Sequence, residues 1–404
     1  MIYLNGFSCK SALGLDDGQA VKSLTTDTDI CLKETYGFLP HGEKAFLAEL
    51  PVDPAPLPNH DCRANRLLNL CLDDMAPLIG EIKSRFSPDR IGVVIGTSTS
   101  AITDVENEVL GAPGNTPVNQ PPVFEEEDVY ELKYDPRVYE IGNISAFVRE
   151  KLGLTGPCYS IATACSSGGR AFVSASAMLN AGICDAVIVG ACDTLSRITV
   201  SGFHALGALD TGHCRPMSAE RKGINIGEGA GITIATREPL DGCYVMKLLG
   251  FGSSTDGYHI SAPHPEGKGA VAAIEKALAM AGLSSEDIGY VNLHATGTKL
   301  NDDMEHRVIS QVFGSQVPVS GVKHLTGHTL GAAGVVEAYV AYLILRYGLS
   351  LPAMTYLDPE NSGEFADINI VKKQGVPLEK PYIMSNNFAF GGNNISLIFG
   401  KGND

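Results

Sequence analysis

Tyr159-Ser160-Ile161-Ala162-Thr163-Ala164-Cys165-Ser166-Ser167-Gly168-Gly169 begins in the manner of a strand and ends in that of a helix. The apolar approach stops at Cys165, and small residues lead directly into a helical pattern from Arg170 to Asn180. A strand that turns tightly into a helix is the repeating unit of layered α/β folds. The turn also gives the cysteine a chemical use. It faces the positive end of a helix dipole, which favours the thiolate and nucleophilic attack. Most buried cysteines are inert; here two histidine motifs further along the chain supply the partners a nucleophile needs.

Outward from this turn, short runs rich in β-branched residues predict strands at 91–95, 186–189, 231–235, 291–294 and 395–399, with helical patterns such as 269–281 and 334–347 between them. The stretch 335–345 is apolar nearly all round, as in a helix buried between layers. A turn-like stretch at 239–242 divides the chain into two parts, each ending in a Gly-rich strand, which read as two halves of one compact unit. Residues 111–137 differ: Pro, Asn and Gly are followed by Glu125-Glu126-Glu127-Asp128. Such a charge run reads as a solvated surface insertion; its functional alternative is a loop shaping a dimer contact or a substrate tunnel.

With 404 residues, 44% apolar and 19% charged, the chain can bury a large core and has the composition of an ordinary globular protein. Its 45 glycines fall at strand ends and turns rather than in a low-complexity tract. A net charge of −16, with no basic stripe, argues against nucleic acid as a partner. No apolar run is expected to reach membrane-spanning length, and the start at Met1 has no charged leader pattern. The ten cysteines show no CxxC pair or disulfide rhythm, so a reduced, cytoplasmic compartment is expected.

Three more segments carry chemistry. Val291-Asn292-Leu293-His294-Ala295-Thr296-Gly297-Thr298, followed by Asn301, Asp302 and Glu305, puts a histidine at a strand's C-terminal end, where open α/β sheets place ligands. Lys323-His324-Leu325-Thr326-Gly327-His328-Thr329-Leu330-Gly331-Ala332-Ala333-Gly334 surrounds His328 with small residues that leave room for a ligand. His324 and His328 are spaced like a zinc pair on a helix, but Gly327 between them and the lack of an HExxH pattern argue against a metal. Ser385-Asn386-Asn387-Phe388-Ala389-Phe390-Gly391-Gly392-Asn393-Asn394 contains a Gly-Gly pair after an aromatic, which reads as a hairpin turn or as a loop aiming N–H groups into a site. The Gly-rich run at 223–231 precedes a strand instead of following one, the reverse of the dinucleotide-binding order, and no nucleotide site is expected.

In this order and at these separations, the segments resemble the β-ketoacyl-acyl carrier protein synthases of the thiolase superfamily, in their elongating, decarboxylating type. The resemblance covers nearly the whole chain: TACSS, HxTGT, KxxxGHTLGAAG, SNxFxFGG and Pro216…Gly227-Glu228-Gly229. It implies a thiolase-like five-layered α-β-α-β-α fold from two duplicated halves, 1–240 with the nucleophile and 241–404 with the histidines. It implies no cofactor, an acyl carrier protein as partner, and a homodimer or a heterodimer with a ketosynthase-like subunit. By position, Cys165 is the acyl-accepting nucleophile, His294 and His328 the catalytic pair, and Lys323 and Glu305 their supporting charges. Thr296 and Thr298 correspond to phosphopantetheine contacts. Phe390, with Gly391 and Gly392, corresponds to the gating loop, and its N–H joins that of Cys165 as an oxyanion hole. Arg63 and Arg66 fall where relatives dock the acidic carrier.

The implied reaction is the decarboxylative condensation of an acyl chain on Cys165 with a malonyl thioester, in fatty acid or specialised polyketide or polyene synthesis. Two neutral imidazoles can stabilise the enolate without a metal. Ala389 stands where elongating relatives carry glycine and is expected to stiffen the gate. A rival reading is a noncatalytic chain-length-factor-like subunit, but such subunits lack the cysteine. A degradative thiolase would need a second cysteine near the C-terminus, and none lies beyond Cys243.

Overall fold

The computed structural model describes residues 1–28, 32–111, 136–358 and 363–402. Most of the expected 111–137 insertion lies outside the described residues. The strands, in chain order, are β1 (Ile2–Lys10), β2 (Leu32–Thr35), β3 (Ala45–Ala48), β4 (Ile91–Gly96), β5 (Cys158–Ile161), β6 (Ala186–Asp193) and β7 (Ile226–Gly227). They continue with β8 (Gly229–Thr236), β9 (Val245–Thr255), β10 (Ile288–Asn292), β11 (Pro318–Ser320), β12 (Asn369–Ile370), β13 (Tyr382–Ala389) and β14 (Asn393–Lys401). Among the described residues the main sheet has 11 strands, ordered β12-β11-β10-β13-β14-β9-β1-β8-β6-β4-β5; β2, β3 and β7 form a small second sheet.

The main sheet repeats itself. From its β5 edge inwards, β5-β4-β6-β8-β1 pair parallel, parallel, antiparallel and antiparallel. The run β11-β10-β13-β14-β9 pairs in the same sequence of senses, and its strands occupy the same places in chain order. The two innermost strands, β1 and β9, join the repeats antiparallel, Ile2 opposite Leu248. The third strand of each repeat leads to a central helix, Ser167–Asn180 in the first and Ala333–Tyr347 in the second.

Hydrophobic burial sorts these elements into layers. One apolar cluster joins both central helices to the inward faces of both half-sheets, from Leu4 and Val189 on one side to Leu397 and Phe399 on the other. A second covers the outer face of the first half-sheet with the helices Arg63–Asp74 and Asn143–Leu152. A third covers the second half-sheet with Lys268–Ala281 and Lys299–Phe313. The result is helix, sheet, helix, sheet, helix, as expected of the five-layered fold. Strands such as β4 and β6 are buried along their whole length because both faces are covered.

The central helices cross where neither has a side chain. A Cβ on Gly334 would lie 2.6 Å from the Gly169 nitrogen. The stretch Leu330–Tyr347 reaches the length and hydropathy of a membrane span, which corrects the expectation that no run does; 89% of it is buried within the fold. It is the core helix of the central layer.

Candidate active site

Cys165 is delivered by β5 and a strained turn. Ala164 adopts φ 53°, a left-handed conformation that costs a non-glycine residue about 1–3 kcal/mol. The serines of the motif hold it there: Ser166 Oγ donates to Thr163 O at 2.7 Å, Ser167 Oγ donates to Ala164 O at 2.6 Å, and Thr163 N donates to Ser167 Oγ at 2.9 Å. The cysteine is buried, at the start of the Ser167–Asn180 helix. Its sulfur lies 3.0 Å from His328 Nε2, and the main-chain N–H groups of Phe390 and Cys165 favour its charged form. Burial nevertheless pushes the thiol up to about 11, against the Lys323 charge. The expected pull of the helix dipole towards the thiolate is outweighed by desolvation.

His328 is pinned through its backbone by the Gly-rich run at 223–231. His328 N donates to Asn225 O at 2.6 Å, and Gly227 N donates to His328 O at 3.1 Å. Gly227 has to be glycine, because a Cβ would meet Thr326 O at 2.2 Å. Leu330 N donates to His328 Nδ1 at 3.2 Å, so in the neutral ring the proton sits on Nε2, facing Cys165.

His294 follows the end of β10 rather than lying within it. Lys323 Nζ donates to His294 O at 2.6 Å and lies 3.3 Å from Nδ1, which makes Nδ1 an acceptor and leaves the proton on Nε2. The two imidazole centroids are 5.4 Å apart and nearly perpendicular. Burial, and after it the Lys323 charge, holds both rings well below the ordinary imidazole value. Both are therefore neutral donors.

The supporting groups differ from the sequence reading. Glu305 does not face an imidazole: its two oxygens accept from His294 N at 2.6 Å and Ala295 N at 2.7 Å, fixing a turn in which Ala295 has φ 39°. Burial raises Glu305 to about 8 against those two donors. The carboxylate that pairs with Lys323 is Glu337, which also accepts from Asn387 Nδ2. Sequence reasoning passed over Glu337, although a lone acid in the apolar helix Ala333–Tyr347 was a signal. It also passed over Asp193, at the buried end of β6. Asp193 accepts from Thr97, Ser98, Thr99 and Gly331, tying the β4 end to the His328 loop.

These groups open onto a pocket of about 370 Å³, lined by Cys165, His294, His328, Thr296, Thr298, Phe388 and Phe390 among others. Thr296 and Thr298 bond to each other through their hydroxyls at 2.9 Å. Phe390, Gly391 and Gly392 form the β13–β14 hairpin loop, and Phe390 lines the pocket. Gly391 takes φ 78° and its N–H donates to Ile260 O, while the Phe390 ring packs on Phe203 at 5.4 Å. Ala389, at φ −90° and ψ 157°, is ordinary extended backbone; the expected stiffening has no strained dihedral behind it.

The donor atoms of Cys165, His294 and His328 lie within 4.8 Å of one another, close enough for a metal. The ring nitrogens turned to that centre carry protons, however, and the Lys323 ammonium stands behind them, which opposes a cation. His324 takes no part; it turns outwards to Asp27.

Arg63 does not contribute to a free basic patch. Its guanidinium donates to the buried Glu228 and to Val52 O and Leu50 O, so its charge is spent inside the fold. Arg66 pairs with Asp61 at 2.6 Å near the surface.

Comparison with known proteins agrees with this geometry. The family models for the β-ketoacyl synthase N-terminal and C-terminal domains match residues 80–239 and 245–356. A ketosynthase from Xenorhabdus doucetiae, solved in complex with its chain length factor, is 40% identical, with 99% of this chain and 98% of that one covered at a TM-score of 0.88. The chain belongs to the β-ketoacyl synthase family. It is 34% identical over 265 residues to 3-oxoacyl-[acyl-carrier-protein] synthase 2 of Staphylococcus aureus (strain COL), a match spanning 62% of this chain and 63% of the relative's length. A β-ketoacyl synthase from Burkholderia phymatum STM815, 23% identical, shares the fold over 100% of this chain and 99% of its own at a TM-score of 0.80.

Proposed function

We propose that this chain is a condensing enzyme that joins an acyl group carried on Cys165 to a two-carbon unit from malonyl-acyl carrier protein. The observation that carries the reading is the Cys165 sulfur 3.0 Å from His328 Nε2, with the Nε2–H of a second neutral imidazole, His294, opening onto the same pocket.

In the first half-reaction the Cys165 sulfur attacks the acyl thioester, and the proton of its thiol leaves with the departing pantetheine sulfur. The tetrahedral oxyanion sits on the N–H groups of Phe390 and Cys165, each such donor worth about 3 kcal/mol. In the second, the malonyl carboxylate leaves as carbon dioxide, and the electron pair of the broken C–C bond moves onto the thioester oxygen as an enolate. The Nε2–H groups of His294 and His328 stabilise that oxygen. The enolate carbon attacks the acyl-Cys165 carbonyl, and collapse releases the β-ketoacyl product and the sulfur, which regains a proton. Lys323 and Glu337 hold His294 in its donor form; Glu305 holds the backbone of its turn. Thr296 and Thr298 receive the pantetheine arm, and Phe390 with Gly391 and Gly392 gates the pocket.

The enzyme is an acyltransferase of the 3-oxoacyl-acyl carrier protein synthase kind, acting in the cytoplasm on carrier-bound substrates. The likeness to a ketosynthase solved with its chain length factor supports a heteromeric partner and a specialised pathway over a homodimer. The intact Cys165, His294 and His328 make this chain the catalytic member. Residues 1–240 and 241–404 are taken as its two repeats.

Intact-mass spectrometry with a panel of acyl-carrier thioesters tests this. Wild type is expected to gain the mass of the acyl group, and Cys165→Ala to gain none. Equal labelling of both would remove Cys165 from the mechanism.

A further inference from the structure

The Lys323–Thr326 helix is a single turn with a polar side chain on each side. Lys323 points inwards to Glu337 and His294. His324 points outwards, and its Nε2 donates to Asp27 Oδ1 at 2.7 Å, both side chains being 5% exposed. Among the described residues His324 Nδ1 is buried without a partner, so the ring's polar anchorage runs through Asp27 alone. Its edge meets the Tyr356 ring at 5.0 Å, and Tyr356 OH donates to Pro216 O at 2.9 Å.

Asp27 is itself fixed from two sides. It closes the helix Asp17–Thr26 in a left-handed conformation, φ 53°, with its N–H on Ser23 O. Its second oxygen accepts from Thr355 N at 3.0 Å and from the Thr355 hydroxyl. Burying such a pair costs several kcal/mol of desolvation, and apolar replacements of similar volume are often as stable. Stability alone does not account for it.

We propose that Asp27 and His324 are a positioning pair that holds the Lys323 turn, and through Lys323 the His294 imidazole, for the decarboxylation half-reaction; this role rests on the condensing reading above. The selectivity follows from separate anchorage. His328 is tied to Asn225 O, Gly227 N and Leu330 N, none of which lies on the Lys323 turn. Lys323 is held by Glu337 on the inside and by the His324 clamp on the outside, with Cys214 Sγ donating to Lys323 O at 3.6 Å. Releasing the clamp shifts Lys323 and His294 and leaves Cys165 and His328 in place.

The test measures both half-reactions in His324→Ala, His324→Gln and Asp27→Asn: carbon dioxide release from malonyl-carrier thioester, and the rate of Cys165 acylation by intact mass. In His324→Ala, kcat for decarboxylation is expected to fall about ten- to a hundredfold, the effect of an ångström-scale misplacement. KM and the acylation rate should stay within about twofold. Asp27→Asn keeps a residue that tolerates the left-handed conformation and should reproduce the loss. His324→Gln presents an amide N–H near the position of Nε2 and should recover most of the rate, even if the alanine variant folds poorly. Unchanged decarboxylation in His324→Ala or Asp27→Asn, or equal loss of both half-reactions in the folded variants, overturns the proposal. If wild type neither acylates nor releases carbon dioxide, the condensing reading fails first.

Discussion

Burial pushes the Cys165 thiol up to about 11 even though Lys323 and the N–H groups of Phe390 and Cys165 pull the other way. At neutral pH the residue rests as a thiol. His328 does not take its proton, because Nδ1 already accepts from Leu330 N–H and Nε2 carries the ring's hydrogen towards the sulfur. The proton leaves only when a substrate arrives to receive it. The sign of the pH dependence follows. A raised value means that the folded state favours the thiol, so this contribution to stability is complete below the ordinary thiol value of 9.0 and is lost as pH rises towards about 11. Reactivity runs the opposite way. Alkylation of Cys165 by iodoacetamide should keep accelerating between about pH 7 and about pH 10. A plateau near neutrality, read from labelling rates against pH, would mean that a thiolate exists at rest.

The central helices show what small residues do for an element. Gly169 and Gly334 let Ser167–Asn180 and Ala333–Tyr347 approach until a Cβ on Gly334 would press on the Gly169 nitrogen and, at 2.7 Å, on Asn387 Oδ1. Gly334→Ala should therefore destabilise the protein by about 1–3 kcal/mol, as overpacking does, and weaken acylation by moving Cys165 off His328. Denaturant unfolding and intact-mass labelling check the two effects; an unchanged midpoint would show that the helices can part freely. The glycines, like the TACSS turn and both histidine motifs, could be read in the sequence because their meaning is local: a spacing, a strand end, a run of small residues. The roles of Glu337 and Asp193 could not, even though a lone acid in an apolar helix marks Glu337 out, because a buried acid declares its role only through partners far along the chain, Lys323 and Asn387 for one, Thr97 and Gly331 for the other. Arg63 failed for the same reason. The sequence displays its charge but not Glu228, 165 positions away, that neutralises it. The layer order came from family resemblance, since periodicity alone reveals strands and helices but not which faces meet.

Across the whole molecule, the charge of −16 opposes an acidic carrier protein. At physiological salt, screening acts over about 8 Å, so the charges at the pocket mouth count for more than the distant total. Lys222 and the largely exposed Lys299 line that mouth. KM for the carrier substrate should thus rise as potassium chloride is increased from about 0.05 M to about 0.5 M, while KM for a small acyl thioester stays level. A fall for the carrier would show that the global field dominates. The site also draws its parts from the whole length of the fold, with Cys165 in the first repeat and His294, His328 and Phe390 in the second. Phe390 stands in the hairpin between β13 and β14, packed on Phe203, and β14 in turn lies against β9. During synthesis at about 5–20 residues per second, the cysteine therefore emerges on the order of tens of seconds before Phe390. Until β14 has left the ribosome and taken its place beside β9, the nascent chain carries its cysteine without the second half of the pocket.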